Sequence, residues 1–80
     1  MKNITRRKRS RTLLQWVFSR ENSVVTCELL QEGSLYLVRL LTHSGKMIVA
    51  TFDAGLAAFQ RHAALVSELR RSGWMLVAYR

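Results

Sequence analysis

Alternation of apolar and polar residues through the middle of the chain predicts three antiparallel strands. The runs 24–32, 35–43 and 47–52 are rich in β-branched and aliphatic residues, and Gly33-Ser34 and Ser44-Gly45 separate them. Short turns that contain glycine are the usual connections of tight hairpins. If each turn has two residues, the numbers of paired positions sum to 67 in the first hairpin and to 89 in the second.

This register divides the residues between two faces of the sheet. The first face carries Val25, Cys27, Leu29, Tyr36, Val38, Leu40, Met47, Val49 and Thr51. The other, called here the second sheet face, carries Val24, Leu30, Leu35, Leu37, Leu41, Ile48 and Phe52. On this second face the register places Glu28 opposite Arg39, and an opposite-charge pair of this kind supports the register.

The second sheet face is more apolar than a solvated face normally is, so something is expected to cover it. One possibility is that the segment around Trp16 to Phe18 folds across it. The other, which we favour, is a homodimer in which two copies pack this face together about a two-fold axis. The expected interface residues are Leu35, Leu37, Leu41, Ile48 and Phe52.

Residues 54–72 contain no proline and predict one long helix. Asp53 is a suitable N-cap, Arg70 and Arg71 are favoured near a helix C-terminus, and Gly73 provides a stop. The expected apolar stripe, which should pack on the first sheet face, is Leu56, Phe59, Ala63, Val66 and Leu69. The apolar run 74–79 is expected to return along the sheet as a fourth strand.

The run 13–18 is too short for periodicity to decide between helix and strand. The predicted fold is therefore a single α+β domain over residues 13–80, with a three- to four-stranded antiparallel sheet in the order β-β-β-α-β. One long helix packs on one of its faces. Eighty residues allow one hydrophobic core.

Charge is concentrated at one end of the chain. Residues 1–12, called here the basic arm, contribute +6 of the formal net charge of +8, and the remaining 68 residues contribute +2. The arm has little apolar surface to bury, so it is expected to be disordered when free.

Basic segments bind phosphates and often become ordered on RNA or DNA, so the arm favours a nucleic-acid-binding or transcription-associated protein of small bacterial type. The expected phosphate contacts are Lys2, Arg6, Arg7, Lys8, Arg9 and Arg11, with secondary contacts from Arg39, Lys46, Arg70 and Arg71. The alternative is a protein interaction module that docks through the second sheet face while the arm contacts an acidic partner. A solubilising tail and a membrane-surface anchor are further interpretations of the arm.

Trp16 and Phe18 follow the arm, and aromatic residues beside basic charge can stack on bases. Packing in the core explains them more often, as it does Tyr36, Trp74 and Tyr79.

Enzyme chemistry is not expected, because the residue types that support it are scattered. Cys27 belongs to the first, buried face, so it is expected to act as a small hydrophobic residue. His43 and His62 have no spacing typical of a zinc site, and no metal or cofactor is expected. No apolar run is long enough to cross a bilayer, and the single cysteine fits a cytoplasmic protein.

The stretch LRRSGWMLVAYR at residues 69–80 resembles the helix-glycine-tryptophan-strand ending of several small uncharacterised bacterial domains, which implies no function. A basic arm ahead of an antiparallel sheet is also similar to the PC4-like single-strand-binding coactivators. Those domains end on their helix, whereas this chain continues through residues 74–79.

Overall fold

Residues 10–20, which include the run left open by the sequence pattern, form an inner strand of the sheet. The computed structural model describes residues 10–42, 44–45 and 47–80. Its elements are β1 (Ser10–Arg20), β2 (Ser23–Glu32), β3 (Leu35–Thr42), β4 (Met47–Phe52), α1 (Gly55–Arg71) and β5 (Met75–Tyr79). The sheet is antiparallel in the order β4-β3-β2-β1-β5, so the predicted α+β class with one helix is confirmed. It has five strands rather than three or four, because β1 adds to the predicted set.

The strand β1 begins inside the predicted basic arm. Ser10, Arg11 and Thr12 pair with Glu32, Gln31 and Leu30 of β2. The remaining residues of the arm, 1–9, lie outside the described residues. Phe18 is fully buried, which confirms its interpretation as a core residue and shows why the β-favouring sequence around it becomes an inner strand.

The predicted register of the first hairpin is confirmed. Every pair between β2 and β3 sums to 67, including Glu28 with Arg39. The Arg39 Nη2 atom lies 2.7 Å from Glu28 Oε1, so the predicted cross-strand ion pair is also present.

The predicted register of the second hairpin is wrong by one residue. Leu37 pairs with Thr51, so the paired numbers sum to 88 instead of 89. The turn is longer than two residues: the Gly45 N–H bonds to the Thr42 carbonyl at 2.9 Å, and Gly45 has φ 88°. Because side chains alternate along a strand, a shift of one position exchanges the two faces of β4.

The shift affects two predicted interface residues. Phe52 pairs with Tyr36 and packs beside Leu29, Val38 and Ala58 on the helix-covered side of the sheet. Ile48 pairs with Leu40 rather than with Leu41. The assignment of Phe52 to the second sheet face and the predicted pairing of Ile48 are wrong, because both depended on a two-residue turn.

The N-terminus of α1 also differs from the prediction. The N-cap is Ala54 with no side-chain capping bond, so Asp53 does not cap the helix. Gly55 lets the helix start close to β3, because a Cβ atom there would lie 3.2 Å from the Tyr36 ring. This close approach fixes where the helix meets the sheet.

The C-terminus of α1 is as predicted. Gly73 has φ 92°, its N–H bonds to the Arg70 carbonyl at 3.1 Å, and the Trp74 N–H bonds to the Leu69 carbonyl at 3.0 Å. These two bonds form a Schellman motif, which uses carbonyls that the helix leaves unpaired. The chain then enters β5, which pairs with β1 at the edge of the sheet and confirms the predicted return.

The buried side of α1 is rotated from the predicted stripe. Ala58, His62 and Val66 are buried, whereas Leu56 and Phe59 are 68% and 52% exposed. The His62 Nε2 atom lies 3.1 Å from the Cys27 carbonyl oxygen on β2, and this contact fixes the rotation of the helix. Hydrophobic periodicity alone could not show that a histidine belongs on the buried side.

Candidate nucleic-acid interface

A β-bulge in β1 decides which side chains share a face with the helix. Thr12 pairs with Leu30 and Leu14 pairs with Leu29, which leaves Leu13 as an extra residue. The bulge reverses the alternation, so Arg11 joins Leu14 and Trp16 in the row of positions on the helix side. The basic residue Arg11 thus lies on the same face of β1 as Leu14 and Trp16.

A groove runs between α1 and this row. It has a volume of about 290 Å³. Its lining, called here the β1 groove, consists of Leu14, Trp16, Phe59, His62, Ala63, Val66, Ser67 and Arg70. The helix residues among them follow helical spacing and form one side of α1. The groove exists because α1 packs mainly over β2 and β3 and leaves the helix side of β1 partly open.

Aromatic rings gather around the β1 groove. The centroids of the Trp16 and Tyr79 rings are 5.8 Å apart at an interplanar angle of 50°. Trp16 also meets the His62 ring edge-on at 6.0 Å. Tyr79 is 68% exposed and Phe59 is largely exposed, so both rings present faces or edges to solvent.

Tyr79 and Phe59 were not predicted as site residues. Both were assigned to the core from their apolar neighbours, but the structure leaves them exposed beside Trp16 and on the groove wall. The sequence did contain an indication that some of these residues are exposed. The helix and β5 carry more large apolar residues than one small core can enclose.

His62 is a structural residue at the floor of this groove. Burial lowers the pKa of its imidazole, and the hydrogen bond with the Cys27 carbonyl opposes that effect. Since a carbonyl oxygen only accepts, Nε2 carries the proton and donates to it. His62 is therefore neutral at pH 7, with its side chain fixed by β2.

Cys27 is fully buried on the helix side of the sheet, which confirms its predicted place. Burial, with a smaller effect from the Glu28 carboxylate, raises the pKa of its thiol to about 11. At neutral pH the thiolate required for nucleophilic chemistry is scarcely populated.

The described cations from the predicted phosphate set do not form one cluster. Arg70 lines the β1 groove and Arg11 occupies the same row of β1 as Trp16. Arg39 lies on the opposite side of the sheet, paired with Glu28. Arg71 is exposed at the end of α1, with its Nη2 atom 2.8 Å from Glu68 Oε1.

Six predicted residues cannot be placed. Lys2, Arg6, Arg7, Lys8, Arg9 and Lys46 lie outside the described residues. His43 does as well.

Arg20 links the end of β1 to the end of the helix. The Arg20 guanidinium lies 5.0 Å from the centroid of the Trp74 ring. Its Nη1 atom donates to the Ser72 carbonyl at 2.7 Å. Arg20 therefore caps α1 and holds the start of β5, which explains the position of Trp74.

The second sheet face retains much of its predicted apolar character. Leu35, Leu37 and Leu41 are half-buried, and Val24 is 45% exposed. Met47, predicted on the first face, pairs with Leu41 in the observed register and joins this face, 50% exposed. Within residues 10–42, 44–45 and 47–80, the single helix packs on the other face. The alternative in which the segment around Trp16 to Phe18 folds across part of this face is wrong, because these residues belong to β1 and pair with β2 within the sheet.

The centre of the second sheet face is a closed polar network. Glu28 is buried, and its Oε1 atom accepts from Arg39 Nε at 2.8 Å. Its Oε2 atom accepts from Gln15 Nε2, also at 2.8 Å. Both carboxylate oxygens are thus satisfied and the negative charge is compensated within the face.

Over the part of the chain that the structure describes, no group of three or more His, Cys, Asp or Glu side chains is placed to hold a metal ion. The described helix lacks the length and apolar character needed to cross a bilayer. No family model, curated protein or solved structure matches this chain.

Proposed function

We propose that this protein is a non-enzymatic nucleic-acid-binding protein that holds phosphates with its basic arm. Six cations and no acid occupy residues 1–12. Lys and Arg side chains displace the counterions of nucleic-acid phosphates and supply affinity that does not depend on base sequence. A cytoplasmic location, expected from the single cysteine, is compatible with this function.

The observation that carries the proposal is the position of Arg11. It is the last cation of the arm and occupies the row of β1 that continues to Leu14 and Trp16. Arg11 therefore shares the helix side of the sheet with Arg70 and exposed aromatic rings. Charge beside aromatic surface is the combination that nucleic-acid-binding proteins use for backbone and base contacts.

Arg39 and Arg71, which the sequence predicted as secondary phosphate contacts, are not included in this proposal. Arg39 neutralises a buried carboxylate on the opposite side of the sheet. Arg71 shares its charge with Glu68 at an exposed site. The proposed contacts on the described body are Arg11 and Arg70.

The test is a fluorescence-anisotropy titration of labelled RNA and DNA, single- and double-stranded, at about 50 and 200 mM salt. Six phosphate contacts on duplex DNA predict a loss of about 10³-fold in affinity over this range. Replacing Lys2, Arg6, Arg7, Lys8, Arg9 and Arg11 with Ala should reduce the loss to less than about tenfold.

The matched control replaces Arg6, Arg7, Arg9 and Arg11 with Lys, which keeps the charge and should keep the salt dependence. Circular dichroism of each variant checks that β1 still forms. An unchanged salt dependence in the Ala variant would contradict the proposal.

The second candidate function is a protein interaction module, and the apolar second sheet face favours it. We propose that its occupant is a second copy of this chain. The face compensates its own Glu28 charge, whereas the chain as a whole carries +8 and repels its copies elsewhere. Two copies of a charge-compensated apolar face can meet about a two-fold axis. Such a dimer is compatible with nucleic-acid binding, because the β1 groove lies on the other side of the sheet.

A further inference from the structure

We infer that the β1 groove receives an unpaired nucleobase, so that the ligand of this protein is single-stranded nucleic acid. This inference rests on the proposed nucleic-acid-binding function and specifies its substrate class. It concerns a site separate from the basic arm.

The first reason is the exposure of the rings. Phe59 and Tyr79 are 52% and 68% exposed. They stand on two sides of Trp16, one on the helix and one on the edge strand β5. Flat aromatic surfaces held by rigid elements can stack on any base, since every base has a π face.

The second reason is the size and lining of the groove. A volume of about 290 Å³ is near the lower limit of small-ligand pockets, which suits one planar ring system rather than a folded element. None of the eight described residues that line it is acidic. An apolar slot without negative charge can take a base while the attached phosphate remains outside.

The third reason is charge complementarity at the rim. Arg70 lines the helix wall, and Arg11 occupies the row of β1 that leads into the groove. A groove that combines aromatic rings with the Arg70 cation and no acidic residue favours a ligand that combines rings with negative charge over an apolar peptide.

Base pairing excludes the duplex from this groove. A paired base is stacked on both sides, so exposing it costs the free energy of unstacking and unpairing. The groove therefore discriminates strand form, whereas the arm binds phosphates of either form.

The experiment compares a labelled twelve-nucleotide thymidine oligomer with a twelve-base-pair duplex, using the full chain at about 100 mM salt. The variant Phe59→Ala/Tyr79→Ala removes two exposed rings. Its affinity for the oligomer should fall about 10- to 100-fold, as expected for lost stacking, while its affinity for the duplex stays within about twofold. Val77→Ala, an exposed apolar change on the same strand as Tyr79, is the matched control and should leave both affinities unchanged.

A second readout locates the base. In a Trp74→Phe background, Trp16 is the only remaining tryptophan, so quenching of its fluorescence by the oligomer reports occupancy of the β1 groove. Thermal melts and circular dichroism of all variants check that the fold is retained.

The possible outcomes distinguish failure of base binding in the β1 groove from failure of the proposed nucleic-acid-binding function. Unchanged affinity of the double variant for the oligomer, with no quenching of Trp16, would overturn the inference while arm-dependent binding preserved the proposed function. Absence of binding to either ligand at low salt would overturn both. An apolar peptide that quenches Trp16 more strongly than the oligomer would assign the groove to a peptide and contradict the inference.

Discussion

The His62 Nε2 atom lies 3.1 Å from the Cys27 carbonyl oxygen, and this contact ties the middle of α1 to β2. His62 is buried, and burial lowers the pKa of its imidazole from the usual value of 6.5. The unfolded chain therefore binds a proton at a higher pH than the folded chain does. The stability that depends on neutral His62 is present above pH 6.5 and is lost as the pH falls from 6.5 through the folded pKa.

We expect the free energy of unfolding to fall with decreasing pH in this window, with a slope of at most about 1.4 kcal/mol per pH unit for one proton. Urea unfolding followed by tryptophan fluorescence between pH 5 and 8 measures it. His62→Gln keeps an N–H donor for the Cys27 carbonyl but does not titrate, so it should lack this component. An equal pH dependence in wild type and variant would assign the effect to other groups.

The Glu28–Arg39 pair gives a second prediction. Glu28 is buried, whereas the Arg39 side chain is 31% exposed. Arg39→Gln should therefore lower the free energy of unfolding by about 1–3 kcal/mol, because it leaves a buried carboxylate with only Gln15 as a partner. Chemical denaturation at pH 7 measures the change.

Glu28→Gln/Arg39→Gln should cost less than the sum of the two single changes, because it leaves no uncompensated charge. Glu68→Gln breaks the exposed pair with Arg71 and serves as the control, with an expected change below about 1 kcal/mol. Strict additivity at Glu28 and Arg39 would show that the two residues contribute independently.

The same pair shows how much of the fold could be predicted from the sequence. Glu28 opposite Arg39 and the alternation around Gly33-Ser34 specify the first hairpin, because local pairing and turn chemistry agree there. At the second hairpin a glycine marked the turn without specifying its length. A difference of one residue in the turn was enough to exchange the faces of β4 and displace Phe52.

The site was harder to predict than the fold, because it depends on contacts distant in sequence. The rotation of α1 follows from a hydrogen bond between residues 35 positions apart, so periodicity placed Phe59 in the core. The bulge at Leu13 brings Arg11 into line with Trp16, and alternation alone would place them on opposite faces. The basic character of the arm, in contrast, could be predicted from residue types alone, because charge does not depend on tertiary contacts.

The second sheet face provides the last prediction. Leu37 is half-buried beside the Glu28–Arg39 network, and its cross-strand neighbours are Leu30 and Thr51. Leu37→Glu places an uncompensated charge at the centre of the proposed dimer interface. It should convert a dimer to a monomer in light scattering coupled to size-exclusion chromatography, with circular dichroism unchanged. Leu56→Glu, at an exposed position on the helix, is the control and should remain dimeric.

The Leu37→Glu variant connects the dimer to ligand binding. Since a dimer presents two basic arms to one nucleic acid, the Leu37→Glu monomer should also bind long oligonucleotides more weakly than wild type. A wild-type protein that is monomeric at about 100 μM would contradict self-association through this face.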